Sequence, residues 1–148
     1  MDIKKFVRVG VGVLILNEKE QVLLGLRHSD PEKADSELHG EGTWTCPGGK
    51  MDFQETVFEC GKREVKEETS VEVNNLQLFS ISNDRAKESH FITIGLMAKE
   101  FKGEPKIMEP DEIVEWRWFD LNNLPKKIFF PSEKMIKNFI AKKMYVDS

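Results

Sequence analysis

The stretch GKMDFQETVFECGKREVKEETSV, residues 49–71, decides the fold of this chain. Its second half carries three glutamates, Glu64, Glu67 and Glu68, at spacings i, i+3 and i+4. At helical pitch these side chains project within about 100° of arc. Like charges at such spacings repel each other and weaken a helix by roughly 0.2–0.5 kcal/mol per pair. The arrangement therefore favours a bound cation, and clustered carboxylate oxygens suit Mg²⁺ or Mn²⁺.

Fixed offsets tie these glutamates to a glycine turn. Five residues separate Gly49 from Glu55, and seven separate Glu55 from Arg63. A helix rich in glutamate and lysine is usually a solvated face, and the three glutamates alone leave that interpretation open. A solvated face needs no fixed distance to a glycine turn, so the offsets favour a functional site.

The whole segment resembles the Nudix box, G-x5-E-x7-R-E-U-x-E-E-x-G-U, in which U is an aliphatic residue. Every defined position matches except the last glycine, which is Ser70 here. The resemblance implies a MutT-like Nudix hydrolase with an α/β/α sandwich, in which a mixed β-sheet lies between the box helix and a C-terminal helix. Looser matches over residues 6–139 resemble the branch that cleaves (d)NTPs, including thiopurine-nucleotide and dihydroneopterin-triphosphate pyrophosphatases.

The resemblance also implies roles for the box residues. The implied ligands of Mg²⁺ or Mn²⁺ are the carboxylates of Glu64, Glu67 and Glu68 and the backbone carbonyl of Gly49. Arg63 would orient the glutamates through charge-assisted hydrogen bonds, and Glu55 would support the junction between loop and helix. Either Glu64 or Glu67 would act as the general base, and the sequence leaves that choice open.

The implied reaction is metal-dependent hydrolysis of a nucleoside triphosphate, with purine favoured, to the monophosphate and pyrophosphate. Two alternatives stay open: cleavage of a nucleoside diphosphate linked to another group, such as ADP-ribose, and an inactive nucleotide-binding module. ADP-ribose-cleaving members carry a proline about fifteen residues past the box, and residues 84–87 contain none. The tyrosine typical of diadenosine-polyphosphate hydrolases is also missing, since the only tyrosine is Tyr145.

The base-binding residues are predicted from position in the chain. Phe130 is the candidate for stacking on the base, and plain core packing is its open alternative. By strand register, the other candidate substrate-binding residues are Thr45, Cys46, His90 and Thr93. Asp111 or Glu112 could add a distant metal ligand or base, although an acidic loop is the favoured interpretation there.

Composition narrows the function classes. The chain has 148 residues, 39% hydrophobic and 32% charged, which indicates one soluble globular domain over residues 1–148. No apolar run reaches the length of a membrane helix, and the N-terminus lacks a signal peptide, so we expect a cytoplasmic protein without a membrane partner. A net charge of −4 argues against a nucleic acid polymer and allows a small nucleotide bridged by a cation. The branch resemblance implies a possible homodimer.

Periodicity predicts the order of the elements. The predicted elements are a strand over 6–16, its hairpin partner over 21–27, a short strand over 43–46, a helix from about Glu55 to Thr69, strands over 71–82, 90–101 and 114–119, and a helix from Pro131. Gly10 and Gly12 suggest a strand packed against a helix rather than a nucleotide loop. The polar segment 28–42, with surface histidines His28 and His39, is either an insertion near the site or a disordered connection.

Overall fold

The computed structural model describes residues 5–34 and 38–146, and over these ranges the fold contains nine strands and two helices. The strands are β1 (Val7–Ile15), β2 (Gln21–Arg27), β3 (Trp44–Thr45), β4 (Gly48–Lys50), β5 (Glu72–Asn74), β6 (Gln77–Arg85), β7 (His90–Ala98), β8 (Glu100–Lys102) and β9 (Ile113–Asp120). The helices are α1 (Val57–Thr69) and α2 (Phe130–Ala141). Within the described ranges, no helix is long and apolar enough to cross a membrane.

Strand β1 lies at the centre of the largest sheet. It pairs in parallel with β7 and antiparallel with β4, and β6 extends the far edge, which gives the order β4-β1-β7-β6. A second sheet, β3-β2-β9, is antiparallel, and β5 pairs with β8 alone. The expected α/β fold with a mixed sheet is therefore confirmed.

The expected hairpin between β1 and β2 is reduced to a single bridge. Leu16 pairs with Val22, and the backbone of Asn17 bonds to that of Gln21. Beyond this point β2 pairs with β3 and β9 in the second sheet, and its buried side chains join those of β1 in two apolar clusters. The hairpin prediction was therefore wrong in extent.

Two further predicted strands are each interrupted. Asn75 adopts a left-handed backbone with φ of 52° and separates β5 from β6, a conformation that asparagine tolerates better than most residues. Strand β7 ends at Ala98, and β8 begins at Glu100. These breaks allow β5 and β8 to pair with each other as a separate ribbon.

Alternating side chains of β1 serve two cores. Val11, Val13 and Ile15 lie in the cluster that includes Val65 of α1, whereas Leu14 and Leu16 lie in the cluster that includes Met135 of α2. Successive strand residues point to opposite faces, so the sheet is covered on both sides. This arrangement confirms the predicted position of the sheet between the two helices.

Helix α1 is fixed at both ends by local chemistry. Thr56 is the N-cap, and its hydroxyl accepts from the backbone N–H of Glu59 at 3.0 Å while the Glu59 carboxylate accepts from Thr56 N–H at 3.1 Å. This capping box places the helix start at Val57, slightly later than predicted from Glu55. The predicted end at Thr69 is confirmed, and Ser70 follows in the left-handed conformation with φ of 69°.

Helix α2 approaches the sheet closely because β1 carries a glycine there. A Cβ on Gly12 would lie 2.6 Å from Met135 Sδ, so only glycine fits without a shift. This contact confirms the packing interpretation for Gly12, whereas a Cβ on Gly10 would meet its nearest neighbours only at 3.7 Å. The helix begins at Phe130, one residue before the predicted Pro131. The helical spacing of Met135, Ile136, Phe139 and Ile140 predicts one buried stripe, but Ile140 is 54% exposed, so the buried stripe is narrower than this spacing predicts.

Replacing Ser70 with glycine is expected to stabilise the protein. A left-handed backbone costs a non-glycine residue about 1–2 kcal/mol, and glycine loses part of that gain through its larger unfolded-state entropy. We expect Ser70→Gly to raise the free energy of unfolding by about 0.5–1 kcal/mol, measured by urea denaturation. Ser70→Ala is the control, since alanine pays the same backbone cost. Equal stability of the two variants would contradict the assignment.

Candidate functional site

Strand β4 places the backbone of Gly49 against the face of α1. A Cβ on Gly49 would lie 2.5 Å from the carboxyl carbon of Glu64 and 2.6 Å from both its oxygens. The backbone of Gly49 therefore packs directly against that carboxylate, and no larger residue fits without moving it. The predicted association of Gly49 with the glutamates of the helix is present in the structure.

Arg63 joins the loop before α1 to the helix itself. Its Nε and Nη2 donate to the two oxygens of Glu55, at 2.7 and 2.9 Å. Its Nη1 donates to Glu64 at 2.9 Å and to Glu67 at 3.3 Å. The hydrogen bonds from Arg63 lower the pKa of Glu55 to about 2. Both orienting contacts expected from the sequence are thus observed, although the roles of these residues in turnover remain predictions.

Glu68 lies beyond this arginine and is surrounded by negative charge. Burial, followed by the charge of Glu64 and a hydrogen bond between the two carboxyl groups, raises the pKa of Glu68 well above its usual range. The charge of Glu109 adds to the effect, and a backbone hydrogen bond from Gly48 opposes it. Two carboxyl groups held together in this way fit a hard divalent cation, which would let both be ionised.

Glu109 was missed as a site residue by the sequence analysis. Burial and the charges of Glu112, Glu64 and Glu67 raise its pKa. The backbone carbonyl of Glu109 accepts hydrogen bonds from the N–H groups of Glu112 and Ile113 at 2.9 Å, which forms a turn that faces the helix. The only signal in the sequence was the acidic run 109–112, because a turn has no periodicity that predicts its direction.

We call the five glutamates 64, 67, 68, 109 and 112 the acidic cluster. Within the described residues, no three His, Cys, Asp or Glu side chains already converge as metal ligands. Arg63 instead holds Glu64 and Glu67 by ion pairs. The donor chemistry fits Mg²⁺ or Mn²⁺, and a site made of three carboxylates requires Glu67 to turn from Arg63 toward the hydrogen-bonded pair of Glu64 and Glu68.

A cavity of about 330 Å³ opens beside the acidic cluster. Gly49, Lys50 and Glu68 lie at the end nearest the cluster, and the wall includes Gly10, Gly12, Phe91, Thr93, Phe129 and Met135. Its volume is at the lower end of the range for small-molecule sites, about 300–1,000 Å³. Three of the predicted substrate-binding residues, Thr45, Cys46 and Thr93, line this cavity.

Phe129, and not the predicted Phe130, lines the cavity. The backbone N–H of Phe129 donates to Trp44 at 2.8 Å, which fixes the residue just before the helix, beside β3. Its ring lies 4.9 Å beneath the guanidinium of Arg27, which also lines the cavity. Phe130 is the first helical residue and packs against Lys134, whose ammonium lies 5.6 Å from the ring centre.

His90 lies away from the cavity, in contrast to the prediction. It sits at the first position of β7, where its ring pairs with the side chain of Asn83. Lys5, Arg85 and Lys87 surround it in a separate depression. The parallel register with β1 begins at His90, so the strand carries Phe91 and Thr93 to the cavity face and leaves His90 at the rim of the sheet.

Segment 28–42 contributes to the site, as one of the two sequence interpretations proposed. Arg27 donates to the carbonyl of Ala34 at 2.8 Å, and Ala34 is buried. Leu38 lines the cavity, and a Cβ on Gly40 would lie 2.4 Å from the ring of Phe129. Residues 35–37 of this segment lie outside the described ranges. Among the two histidines, His28 accepts from the backbone of Asp30 at 3.0 Å.

Sequence comparison agrees with this geometry. The NUDIX domain family matches residues 7–139. The chain belongs to the Nudix family. An ADP-ribose pyrophosphatase of Methanocaldococcus jannaschii is 36% identical over 128 residues, which cover 85% of this chain and 69% of that protein. The NAD-capped RNA hydrolase NudC of Pseudomonas putida is 29% identical over 84% of this chain, and the match spans 41% of that relative's length.

Solved Nudix structures have the same fold. A MutT NUDIX hydrolase from Burkholderia pseudomallei gives a TM-score of 0.79 at 29% identity, over 90% of this chain and 98% of that one. A MutT protein from Methanosarcina mazei gives 0.75 at 26% identity, over 95% and 98%. The protein is therefore a Nudix hydrolase, an enzyme of a family that acts on small nucleotides and generally uses divalent metal ions.

Replacing Gly49 with alanine is expected to impair turnover without unfolding the protein. The added Cβ would displace the Glu64 carboxylate, which is the flexible end of a side chain, so the fold is retained. Misplacing a catalytic group in this way costs about 10- to 100-fold in kcat. Lys62→Ala is the control, because Lys62 is exposed on α1 and does not line the cavity. Steady-state kinetics and thermal unfolding of both variants test the expectation, and an unchanged kcat for Gly49→Ala would refute it.

Proposed function

We propose that this Nudix hydrolase cleaves a nucleoside triphosphate to the monophosphate and pyrophosphate, with a purine nucleotide favoured and Mg²⁺ or Mn²⁺ required. One observation carries the proposal: two members of the acidic cluster, Glu68 and Glu112, line a cavity large enough for a nucleoside. In such a geometry a base can enter the cavity while the phosphates remain beside Glu68 and Gly49.

The metal ligands in this proposal are Glu64, Glu67, Glu68 and the carbonyl of Gly49. When bound, a divalent cation neutralises charge on the phosphates and lowers the pKa of an attacking water. The raised pKa of Glu68 supports this assignment, because its carboxyl group is buried beside the negative charges of Glu64 and Glu109. Glu109 and Glu112 are close enough to contribute a further carboxylate.

The proton of the attacking water goes to Glu64 or Glu67 in this mechanism. Glu67 is the more exposed of the two, with a side chain 53% accessible against 15% for Glu64. An exposed carboxylate can turn toward a water molecule, whereas Glu64 is confined between Arg63 and Gly49. This difference supports Glu67 as the general base. Arg63 and Glu55 position the glutamates and do not touch the reacting atoms.

The base is held by the walls of the cavity. Phe129 and Phe91 supply aromatic surface, and Thr45, Cys46 and Thr93 line the polar part. Stacking on an aromatic side chain is tolerant of base identity because every base has a π face. The positive charges of Arg27 and Lys50 complement phosphate oxygens. A single domain, a cytoplasmic location and a homodimer complete the proposal.

ADP-ribose is the second candidate substrate. The observation in its favour is the 36% identity to the ADP-ribose pyrophosphatase of M. jannaschii. The lack of proline in residues 84–87 weighs against it. Both substrates contain a diphosphate linkage, so the same residues would serve in either case, and the two candidates differ only in the group attached to the second phosphate.

A substrate panel distinguishes the two candidates. We expect Mg²⁺-dependent release of pyrophosphate from at least one (d)NTP, and loss of turnover in EDTA that is reversed by excess Mg²⁺ or Mn²⁺. Products are identified by chromatography, because AMP with ribose 5-phosphate marks ADP-ribose cleavage. Turnover of ADP-ribose without pyrophosphate release from any (d)NTP would replace the first candidate with the second. Activity that persists at full rate in EDTA would refute the metal requirement.

Replacing Glu67 with glutamine is expected to lower kcat by at least about 100-fold, the scale of losing one general base or metal contact. Glu59→Gln is a matched control on the same helix. It removes the same charge, and glutamine can keep the capping box. Circular dichroism checks that both variants fold. Equal kcat values for the two variants would remove Glu67 from the mechanism, and a wild type without metal-dependent turnover would favour an inactive nucleotide-binding module.

A further inference from the structure

A buried ion pair lies between α2 and β6, next to the cavity. Asp84 is fully buried, and its Oδ1 lies 3.0 Å from Lys134 Nζ. The same ammonium donates to the carbonyl of Asn83 at 2.9 Å. Oδ2 accepts from Ser82 Oγ at 2.9 Å and from Thr93 Oγ1 at 2.5 Å. A charge buried this deeply persists only with such partners, so the position of the carboxylate is strongly determined.

The sheet register connects this pair to the cavity. Asp84 is paired with Phe91, and Ser82 is paired with Thr93, so these four side chains share one face of the sheet. Phe91 and Thr93 line the cavity. Asp84 thus acts on the cavity through the hydroxyl of Thr93.

The carboxylate determines the direction of the Thr93 hydrogen bond. A carboxylate in an ion pair accepts hydrogen bonds and cannot donate them. The hydroxyl proton of Thr93 therefore points toward Asp84. Only the lone pairs of the Thr93 hydroxyl oxygen are then available to a ligand, and they accept a hydrogen bond.

The hydrogen bonds of Ser132 and Thr45, elsewhere on the cavity wall, also fix the directions of their hydroxyl protons. The backbone N–H of Cys46 donates to Ser132 Oγ at 2.9 Å, and Thr45 Oγ1 donates to the carbonyl of Cys46 at 3.0 Å. The two hydroxyl oxygens lie 3.1 Å apart. Because the Thr45 proton is already used, Ser132 supplies the proton between them. The protons of all three hydroxyls are thus directed into the protein.

We propose that these hydroxyls form an acceptor surface that selects a nucleobase carrying an amino group, and that Asp84 positions it through Thr93. The inference rests on the proposed function, since it concerns the base of the same nucleotide. Thr93, Thr45 and Ser132 contact the base edge in this proposal. Arg27 and Lys50, which also line the cavity, are cationic donors suited to phosphate oxygens.

A base without the amino group leaves buried acceptors unpaired, and sites built on such hydrogen bonds discriminate strongly against the analogue that lacks them. Two nucleotide pairs differ by one amino group alone. GTP and ITP differ at position 2 of the base, and ATP and purine riboside triphosphate differ at position 6. We expect kcat/KM to fall by about tenfold or more in at least one pair. Equal kcat/KM within both pairs would overturn the proposal.

Variants of Thr93 test the hydroxyl directly. Thr93→Val removes the hydroxyl at nearly constant volume and is expected to abolish the discrimination seen in the wild type. Thr93→Ser keeps the hydroxyl and is expected to restore it. Discrimination that survives in a folded Thr93→Val protein would overturn the role of Thr93. If that variant does not fold, the wild-type pairs and Thr93→Ser still decide, because loss of discrimination in Thr93→Ser would also contradict the proposal.

Asp84 is tested without leaving a buried charge. The double variant Asp84→Asn with Lys134→Met replaces the ion pair by neutral groups. The amide of asparagine can donate to Thr93, which frees the hydroxyl proton for the ligand. We expect the kcat/KM ratio within the discriminating pair to move to one or below. A purely structural role for Asp84 would lower kcat/KM for both nucleotides equally and leave their ratio unchanged, which would refute the positioning role.

Binding of monophosphates separates this inference from the proposed function. Calorimetry with GMP against IMP, and with AMP against purine riboside monophosphate, reports base recognition without hydrolysis. Tighter binding of an amino-bearing member, in a protein that hydrolyses no triphosphate, would support the inference and reject the proposed function. Triphosphate hydrolysis without a preference within either monophosphate pair would reject the inference and support the proposed function.

Discussion

The guanidinium of Arg63 is the contact on which the arrangement of the site depends. It joins three parts of the structure: Glu55 in the loop before α1, Glu64 and Glu67 on the helix, and the carbonyl of Lys50 in β4, at 3.2 Å. A single positive charge can offset only part of this negative cluster. Glu68 is not among these partners, and burial together with the charge of Glu64 raises its pKa. Arg63 thus offsets part of the negative charge, and the proposed cation would offset the rest.

The cavity depends on a different constraint, the close packing of α2 against β1. Gly12 allows Met135 to approach the sheet, and Lys134 and Asn138 of the same helix reach polar residues of β6. Asn138 donates a hydrogen bond to Ser80 Oγ at 2.9 Å, and Ser80 lies on the same strand as Asp84. The helix is therefore held by apolar contacts along its centre and by polar contacts along one edge. This combination fixes both the volume of the cavity and the direction of its hydroxyl groups.

The two halves of the site differed in how far sequence predicted them. The contacts among Gly49, Glu55, Arg63 and Glu64 were predictable because they span short, fixed distances along one loop and one helix. The side predicted to bind the base depends on long-range pairing. Phe129 rather than Phe130 lines the cavity because its backbone bonds to Trp44 across the fold, and His90 lies at the rim because of the register between β7 and β1. Neither pairing has a local sequence signal.

The parallel pairing of β1 with β7 has a consequence for how the chain reaches this structure. Val7 pairs with His90, so α1 and its glutamates lie inside the loop that this pairing closes. The entropy of closing a long loop is lost before the distant contacts can stabilise the chain, and folds rich in such contacts form slowly. Isolated helices as short as α1 are marginal in water, and here like charges weaken the helix further. We therefore expect α1 to become stable late, once a sheet formed by distant segments provides the surface on which it packs.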